Sequence, residues 1–188
     1  SAGQLHLNHG SFTTAGFSFK NFSGGRVYLN GGTLAGRVED GAAVQGVIKN
    51  EGQILELGQG SRVTAWAFEN RATGSMSFAR ADFVTSSYFE NLGTIDMHGG
   101  SIRAADLRLE GGAFNMHAGS VIVDRITTNS GSMTYFGGRI EAQSTSNDGF
   151  GLREAVLDSA DDVISIGSQV TIGAGLGTFH SAITNGGS

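Results

Sequence analysis

The sequence predicts an all-β fold, a single-chain parallel β-helix (β-solenoid) with about 20 residues and three short strands per coil. Three observations predict it: a repeat of about 20 residues, an alternation of apolar and polar residues within each repeat, and glycine-rich turns between the alternating segments. The composition agrees, because the 188 residues include 31 glycines and no proline. A proline would remove a hydrogen-bond donor from a central strand.

The repeat is marked by a corner residue that follows each closing strand. The blocks lie about 20 residues apart, apart from an insertion at 36–47 in the second block. They begin at Ser1, Asn21, Asn50, Asn70, Asn91, Gly111 and Asn129. A side-chain amide both donates and accepts hydrogen bonds, so stacked asparagines can bond to their own copies one coil away. We therefore expect Asn21, Asn50, Asn70, Asn91 and Asn129 to form a ladder along one corner.

The first strand of each coil has two apolar residues separated by one residue that is usually polar. This period of two is typical of a strand with one buried face. The pairs are Leu5/Leu7, Val27/Leu29, Met76/Phe78, Ile95/Met97, Phe114/Met116 and Met133/Tyr135. The third block, Gly52 to Leu57, has one residue too many for this pattern, and we predict a β-bulge there.

The second and third strands follow glycine turns such as Gly31-Gly32 and Gly99-Gly100, because glycine adopts positive φ without steric cost. The second strand carries one apolar position, at Leu34, Val63, Ile102, Val121 and Ile140. The third closes the coil at Phe17/Phe19, Trp66/Phe68, Leu107/Leu109 and Ile126/Thr128. So short a coil has no room for a helix. We expect successive coils to stack about 4.8 Å apart with parallel pairing, so that their inward side chains form one core.

The domain organisation is predicted to be one β-solenoid segment over 1–188, excised from a longer chain. Regular coils cover 1–142, and further coils cover 163–188. Between them, 143–162 is expected to be an irregular loop or a short helix. A helix over Gly151 to Leu157 would place Leu152, Val156 and Leu157 on one side.

Charge and cysteine content exclude several classes of function. The formal net charge is −5 and the basic residues are scattered singly, so we expect no nucleic-acid partner. The chain contains no cysteine, which excludes a disulfide framework, a thiolate metal site and a cysteine nucleophile. No apolar run approaches the roughly 18 residues that span a bilayer, so we expect no membrane insertion of this segment.

Two clusters of polar residues are candidate sites of chemistry. His98 and His117 occupy equivalent positions of adjacent coils, but two imidazoles without a third ligand make a poor metal site, so we expect an exposed pair. Asp158, Asp161 and Asp162 lie near Arg153 and Glu154, and we interpret them as a solvated loop and not as a calcium or acid/base site. We predict no catalytic residue, no metal and no cofactor.

Aromatic side chains are a second kind of candidate, because their faces suit sugar rings. Trp66 and most phenylalanines fall on the inward parity of their strands, where they fill the core. This leaves Tyr28, Tyr88 and Phe136 as outward candidates.

The corner sequences resemble a known family of repeats. Asn50-Glu51-Gly52-Gln53-Ile54, Asn91-Leu92-Gly93-Thr94-Ile95 and Asn129-Ser130-Gly131-Ser132-Met133 are similar to the N-x-G-x-hydrophobic repeats of filamentous-haemagglutinin-like exoproteins. Many of these large bacterial surface proteins are secreted by the two-partner or autotransporter routes. The resemblance covers most of 1–140. It implies a right-handed parallel β-helix, export across an outer membrane, and a role as an adhesin or as the rod that displays one.

The function expected from these features is a non-enzymatic structural or adhesive segment of a secreted or surface-displayed bacterial protein. Its partners would be a host-surface or glycan ligand, or another copy of itself through coil-end stacking. The irregular segments at 36–47 and 143–162 are the expected places for binding, because loops on a stiff scaffold vary freely. The alternatives are a carbohydrate-active β-helix, either a polysaccharide lyase or hydrolase or a tailspike-like fibre, and a self-assembling filament subunit.

Overall fold

Parallel β-strands stacked coil upon coil form the regular secondary structure of the computed structural model. It describes residues 3–14, 18–36, 46–57, 60–145, 150–157, 163–166, 170–179 and 183–185. No helix occurs in these ranges, and hence none that could cross a membrane. The chain is a β-solenoid with roughly 20 residues per turn, as predicted.

The first face of the solenoid is a parallel sheet of nine strands. Each coil contributes one strand, and neighbours in the sheet are the corresponding strands of consecutive coils. The strands are β1 (Gln4–Asn8), β4 (Arg26–Asn30), β7 (Gln53–Glu56), β10 (Ser75–Phe78), β13 (Thr94–Met97), β15 (Ala113–Met116), β17 (Ser132–Tyr135), β19 (Phe150–Leu157) and β21 (Val170–Phe179).

The second and third faces belong to one sheet of thirteen strands. The second face begins with β2 (Ser11–Thr13), β5 (Thr33–Ala35), β8 (Arg62–Ala65) and β11 (Asp82–Thr85). The third face begins with β3 (Ser18–Asn21), β6 (Val47–Asn50), β9 (Ala67–Asn70) and β12 (Tyr88–Asn91). In later coils a single strand runs along both faces, namely β14 (Ser101–Leu109), β16 (Ser120–Thr128) and β18 (Arg139–Thr145). Two further strands, β20 (Val163–Ile166) and β22 (Ile183–Asn185), continue the second face.

The core confirms that equivalent positions lie above one another. Ile95 pairs in register with Phe114, and Phe114 pairs with Met133. All three side chains are buried. On the third face Phe68 and Phe89 are also in register, and their rings stack with centroids 4.9 Å apart. Inward side chains from consecutive coils therefore merge into one continuous apolar cluster.

The asparagine ladder, formed by Asn21, Asn50, Asn70 and Asn91, runs inside one corner. Asn21 Nδ2 donates to Asn50 Oδ1 at 2.7 Å, Asn50 Nδ2 to Asn70 Oδ1 at 2.9 Å, and Asn70 Nδ2 to Asn91 Oδ1 at 2.8 Å. Each of the four Nδ2 groups also donates to a backbone carbonyl at 3.1–3.2 Å. The ladder thus satisfies amides that the core would otherwise leave unpaired.

Close approach between consecutive coils explains the glycine of the N-x-G corners. A Cβ atom at Gly93 would lie 2.1 Å from the carbonyl oxygen of Gly74, and one at Gly52 would lie 2.3 Å from that of Gly25. Real Cβ atoms do not approach backbone that closely. By contrast, a Cβ at Gly111 would meet nothing within 4 Å.

The prediction that Asn129 extends the asparagine ladder is wrong. Asn91 pairs in register with Leu109, and Leu109 pairs with Thr128, so Asn129 lies one residue beyond the ladder position. Asn129 begins the three-residue connection from β16 to β17, whereas only two residues connect β12 to β13. The longer corner moves the asparagine out of the core, and Asn129 Nδ2 donates to Glu110 Oε2 at the exposed surface.

The predicted β-bulge in the third block is also absent, because β7 keeps a continuous register with β4 and β10. Glu56 pairs with the buried Leu29 and so takes an inward position, while Leu57 is exposed. One oxygen of the Glu56 carboxylate, Oε2, accepts hydrogen bonds from the backbone N–H groups of Ala79 and Arg80, at 2.7 and 2.6 Å.

The expected loop or short helix at 143–162 is corrected in part. Phe150–Leu157 is strand β19, which pairs in parallel with β17 and β21 on the first face. Pairing with neighbours on both sides satisfies its backbone as a strand and outweighs the weak helical pattern of its apolar residues. Of the insertion predicted at 36–47 in the second block, residues 37–45 lie outside the described residues, and Val47 begins β6.

Candidate functional site

The outward side of the third face carries a cluster of charged and aromatic side chains, which we call the charged face. Strand alternation points every second residue of β3, β6, β9, β12 and β14 away from the core. One column of these residues, stacked in register, is Lys20, Lys49, Glu69, Glu90 and Arg108. A neighbouring column adds Tyr88, Asp106 and Arg125.

Glu69 is the most strongly bridged carboxylate in the first of these columns, and it is almost buried. Lys49 Nζ lies 3.5 Å from its Oε2, and Arg71 donates a hydrogen bond to the same oxygen. The hydroxyl of Tyr88, one coil further on, donates to Oε1 at 2.8 Å. Glu69 therefore connects three consecutive coils.

Asp106 has the same role in the neighbouring column. Arg108 Nε donates to its Oδ2 at 3.0 Å, Arg125 Nη2 to the same oxygen at 2.8 Å, and Thr127 Oγ1 to its Oδ1 at 3.0 Å. Burial alone would raise the pKa of Asp106, but the hydrogen bonds from Arg125, Arg108 and Thr127 outweigh it and hold that pKa below its usual range. The carboxylate is thus kept ionised and fixed.

The Tyr88 ring contacts both an indole and a guanidinium. Its ring meets that of Trp66 edge to face, with centroids 5.6 Å apart, and the guanidinium of Arg108 lies over it at 4.2 Å. Burial and the hydrogen bond to Glu69 raise the pKa of Tyr88 to about 12. The phenol is therefore neutral at physiological pH and serves as a donor.

Glu90 differs from the other two carboxylates because it accepts no hydrogen bond from any residue in the described ranges. Its one ionic contact there is Arg71 Nη1, 3.8 Å away. Arg108 is its register partner on the next coil, yet it binds Asp106 instead. Burial, followed by the charge of nearby Glu69, raises the pKa of Glu90 above its ordinary value.

The two histidines singled out in the sequence stack on the first face, as expected. The rings of His98 and His117 lie 4.6 Å apart at 14°, and Phe136 continues the stack 4.7 Å from His117. All three are exposed. Rings stacked face to face direct their in-plane nitrogen lone pairs side by side and not toward one ion. In the described part of the chain no group of three potential ligands could hold a metal.

The other sequence candidates have mixed outcomes. Tyr28 is outward and stacks on His6 with centroids 4.4 Å apart. The expectation that Trp66 fills the core is wrong: Trp66 precedes β9 at a corner and is half-buried on the charged face. Arg153 and Glu154 lie in β19. The acidic cluster of Asp158, Asp161 and Asp162 lies outside the described residues.

Sequence reasoning missed the three carboxylates Glu69, Glu90 and Asp106, which stand on adjacent coils. A usable signal was present for two of them. Glu69 and Glu90 each directly precede a corner asparagine, so aligning the blocks on these asparagines places one carboxylate above the other. Asp106 was harder to find, because its block has no asparagine at the corner.

Comparisons with known proteins gave no match to a protein-family model, to a curated protein or to a solved structure. The resemblance to haemagglutinin-like repeats stays a prediction.

Proposed function

We propose that this chain is a rigid, non-enzymatic β-solenoid segment of a secreted or surface-displayed bacterial protein, acting as a stalk with an adhesive side. The observation that carries the proposal is the in-register stacking of the coils. Backbone ladders, a continuous apolar core and the asparagine ladder all connect each coil to the next. A segment built this way resists bending and holds its outward side chains at fixed spacings.

The non-enzymatic part of the proposal is supported by how the carboxylates are used. Glu69 is engaged by Lys49, Arg71 and Tyr88, and Asp106 by three donors from its own and the next coil. Groups committed to such cross-links are poorly suited to exchange protons with a substrate. They instead stabilise the stacking order of the coils.

The location on a cell surface is supported by the corner repeats. The asparagine ladder and the glycines that admit close backbone approach give a physical reason for the N-x-G pattern shared with haemagglutinin-like exoproteins. The lack of cysteine is compatible with export, since the fold needs no disulfide.

The stalk role is tested by changing the number of coils. Duplicating the 21-residue unit 70–90 joins Glu90 to a second Asn70, so the normal Glu-Asn junction is preserved. We expect each added unit to lengthen the particle by about 4.8 Å in small-angle X-ray scattering, with cooperative unfolding retained. A maximum dimension that does not grow linearly with coil number would refute a rod. The adhesive role is tested by coating beads with the protein and counting their attachment to epithelial cells, with uncoated beads as the control.

A second candidate function, a carbohydrate-active β-helix, is favoured by one observation: Glu69, Glu90 and Asp106 lie on three adjacent coils of one face. Polysaccharide-cleaving enzymes need paired carboxylates. Release of reducing ends from acidic polysaccharides, lost in Glu90→Gln, would support this candidate. No release from any polysaccharide tested would leave the structural role in place.

A further inference from the structure

The centre of the charged face combines an open acceptor with open donors. Glu90 is 17% exposed and accepts no hydrogen bond from the described residues, although Arg108 is its register neighbour. Among the described residues Arg108 makes one hydrogen bond, from Nε to Asp106, and its guanidinium lies over the Tyr88 ring, 4.2 Å from the centroid. Its two η nitrogens have no acceptor among the described residues. An acceptor and a donor fork thus lie side by side, each with unused hydrogen-bonding capacity.

An aromatic surface borders this pair. Trp66 and Tyr88 come from adjacent coils, both are half-buried, and their rings are in contact. The Tyr88 hydroxyl donates a hydrogen bond to Glu69, and the guanidinium of Arg108 lies over the Tyr88 ring. Tyr88 and Arg108 are therefore held in place before any ligand binds. A fixed arrangement loses little conformational entropy on binding.

We propose that Trp66, Tyr88, Glu90 and Arg108 form a binding site for a neutral saccharide. This inference extends the adhesive role proposed above by assigning its ligand class and its location. A pyranose ring offers an apolar C–H face to the indole of Trp66 and vicinal hydroxyl groups at its edge, while Tyr88 holds Trp66 and Arg108 in place. The hydroxyls donate to the Glu90 carboxylate and accept from the Arg108 guanidinium.

The alternation of cations and anions around Glu90 and Arg108 favours a neutral ligand. Four cations, Lys49, Arg71, Arg108 and Arg125, surround three anions, Glu69, Glu90 and Asp106. A uronic-acid carboxylate that reached Arg108 would also face Glu90, and an amino sugar that reached Glu90 would face Arg108. A hydroxyl pair satisfies both groups without placing like charges together.

Trp66 makes the site directly observable, because it is the only tryptophan in the chain. We would first identify ligands on a glycan array and then titrate the protein with cellohexaose and chitohexaose, following Trp66 fluorescence. A heparin hexasaccharide serves as the acidic counterpart. We expect a saturable fluorescence change with at least one neutral hexasaccharide and none with the heparin fragment.

Variants separate a specific site from a general surface effect. Glu90→Gln and Arg108→Gln each remove a charged hydrogen-bonding group and should raise Kd about tenfold or more. Glu141→Gln and Arg62→Gln, on the second face, are matched controls that should leave Kd unchanged. Thermal unfolding of every variant establishes that the fold is retained, and Arg108→Lys replaces Arg108→Gln should the latter unfold.

Three results would overturn the inference: no neutral glycan binds, binding is equal in Glu90→Gln and wild type, or only acidic glycans or peptides bind. The proposed stalk fails on a different measurement, since it depends on how particle length changes with coil number. A rod that binds no neutral saccharide would therefore remove the ligand assignment alone.

Discussion

Replacing Asn70 with alanine tests what holds consecutive coils together. Asn70 is fully buried and takes part in three hydrogen bonds: it accepts from Asn50 and donates to Asn91 and to the carbonyl oxygen of Thr94. Each bond contributes about 1 kcal/mol net, which gives about 3 kcal/mol. The truncation also leaves the Asn91 Oδ1 buried without a donor, which adds about 1–2 kcal/mol. We therefore expect Asn70→Ala to cost about 4–5 kcal/mol.

The assay is urea denaturation followed by circular dichroism, with Asn115→Ala as the matched control. Asn115 lies on the outward side of the first face and makes one side-chain bond, to Asp96 at 2.8 Å. Its loss should cost about 1 kcal/mol or less. A second comparison is Asn21→Ala, at the end of the ladder, which removes two bonds and should fall between these values. If Asn70→Ala cost no more than Asn115→Ala, the ladder would not be a stabilising element.

Three further predictions concern the corners and the charged face. Gly93→Ala should destabilise the fold by about 2 kcal/mol or more, because the added Cβ meets a carbonyl oxygen. The control Gly111→Ala should change the free energy of unfolding by no more than about 0.5 kcal/mol. Equal urea midpoints of the two variants would contradict this prediction. The Tyr88 phenol, measured as the difference in phenolate absorbance between wild type and Tyr88→Phe, should titrate near pH 12. Because the pKa of Tyr88 is higher in the folded than in the unfolded chain, the stability associated with the neutral phenol is present below pH 10 and is lost as the pH rises toward 12. A titration midpoint near pH 10 would contradict this prediction. Glu90→Gln should raise the melting temperature at neutral pH. The raised pKa of the Glu90 carboxyl stabilises the fold only at a pH below the ordinary pKa of a glutamate, and this stabilisation is lost as the pH increases. The gain in melting temperature should therefore vanish in acid, and a lower melting temperature of the variant at neutral pH would refute the prediction.

Periodicity alone was sufficient to predict the stacking, because each inward residue recurs at the same place in its coil. Ile95 and Phe114 are equivalent in the repeat and pair in register in the structure. Corner length was not predictable in the same way. The corner after Thr128 is one residue longer than the corner after Asn91, so Asn129 lies at the surface and not in the core, although its local motif is the same as that at Asn91.

The charged face was not predicted because its chemistry depends on contacts across coils. Glu90 and Arg108 differ from ordinary surface charges only in their partners: Arg108 bonds to Asp106, and Glu90 accepts no hydrogen bond from the residues that the structure describes. The prediction that the Trp66 side chain points inward was wrong because the inward–outward alternation of a strand does not extend to a residue in the corner before that strand. Sequence spacing identifies which residues share a column, but not which of them bind each other.

The coil-by-coil arrangement of hydrogen bonds also determines how this molecule yields to a pulling force. Each coil bonds only to the coils before and after it, so tension on the chain is borne by one coil at a time and not shared along the whole length. A terminal coil that unfolds releases about 20 residues, which lengthen the extended chain by roughly 70 Å, while the remaining coils keep their native structure. Such a chain extends in steps, and each step dissipates part of the mechanical work before the next coil unfolds.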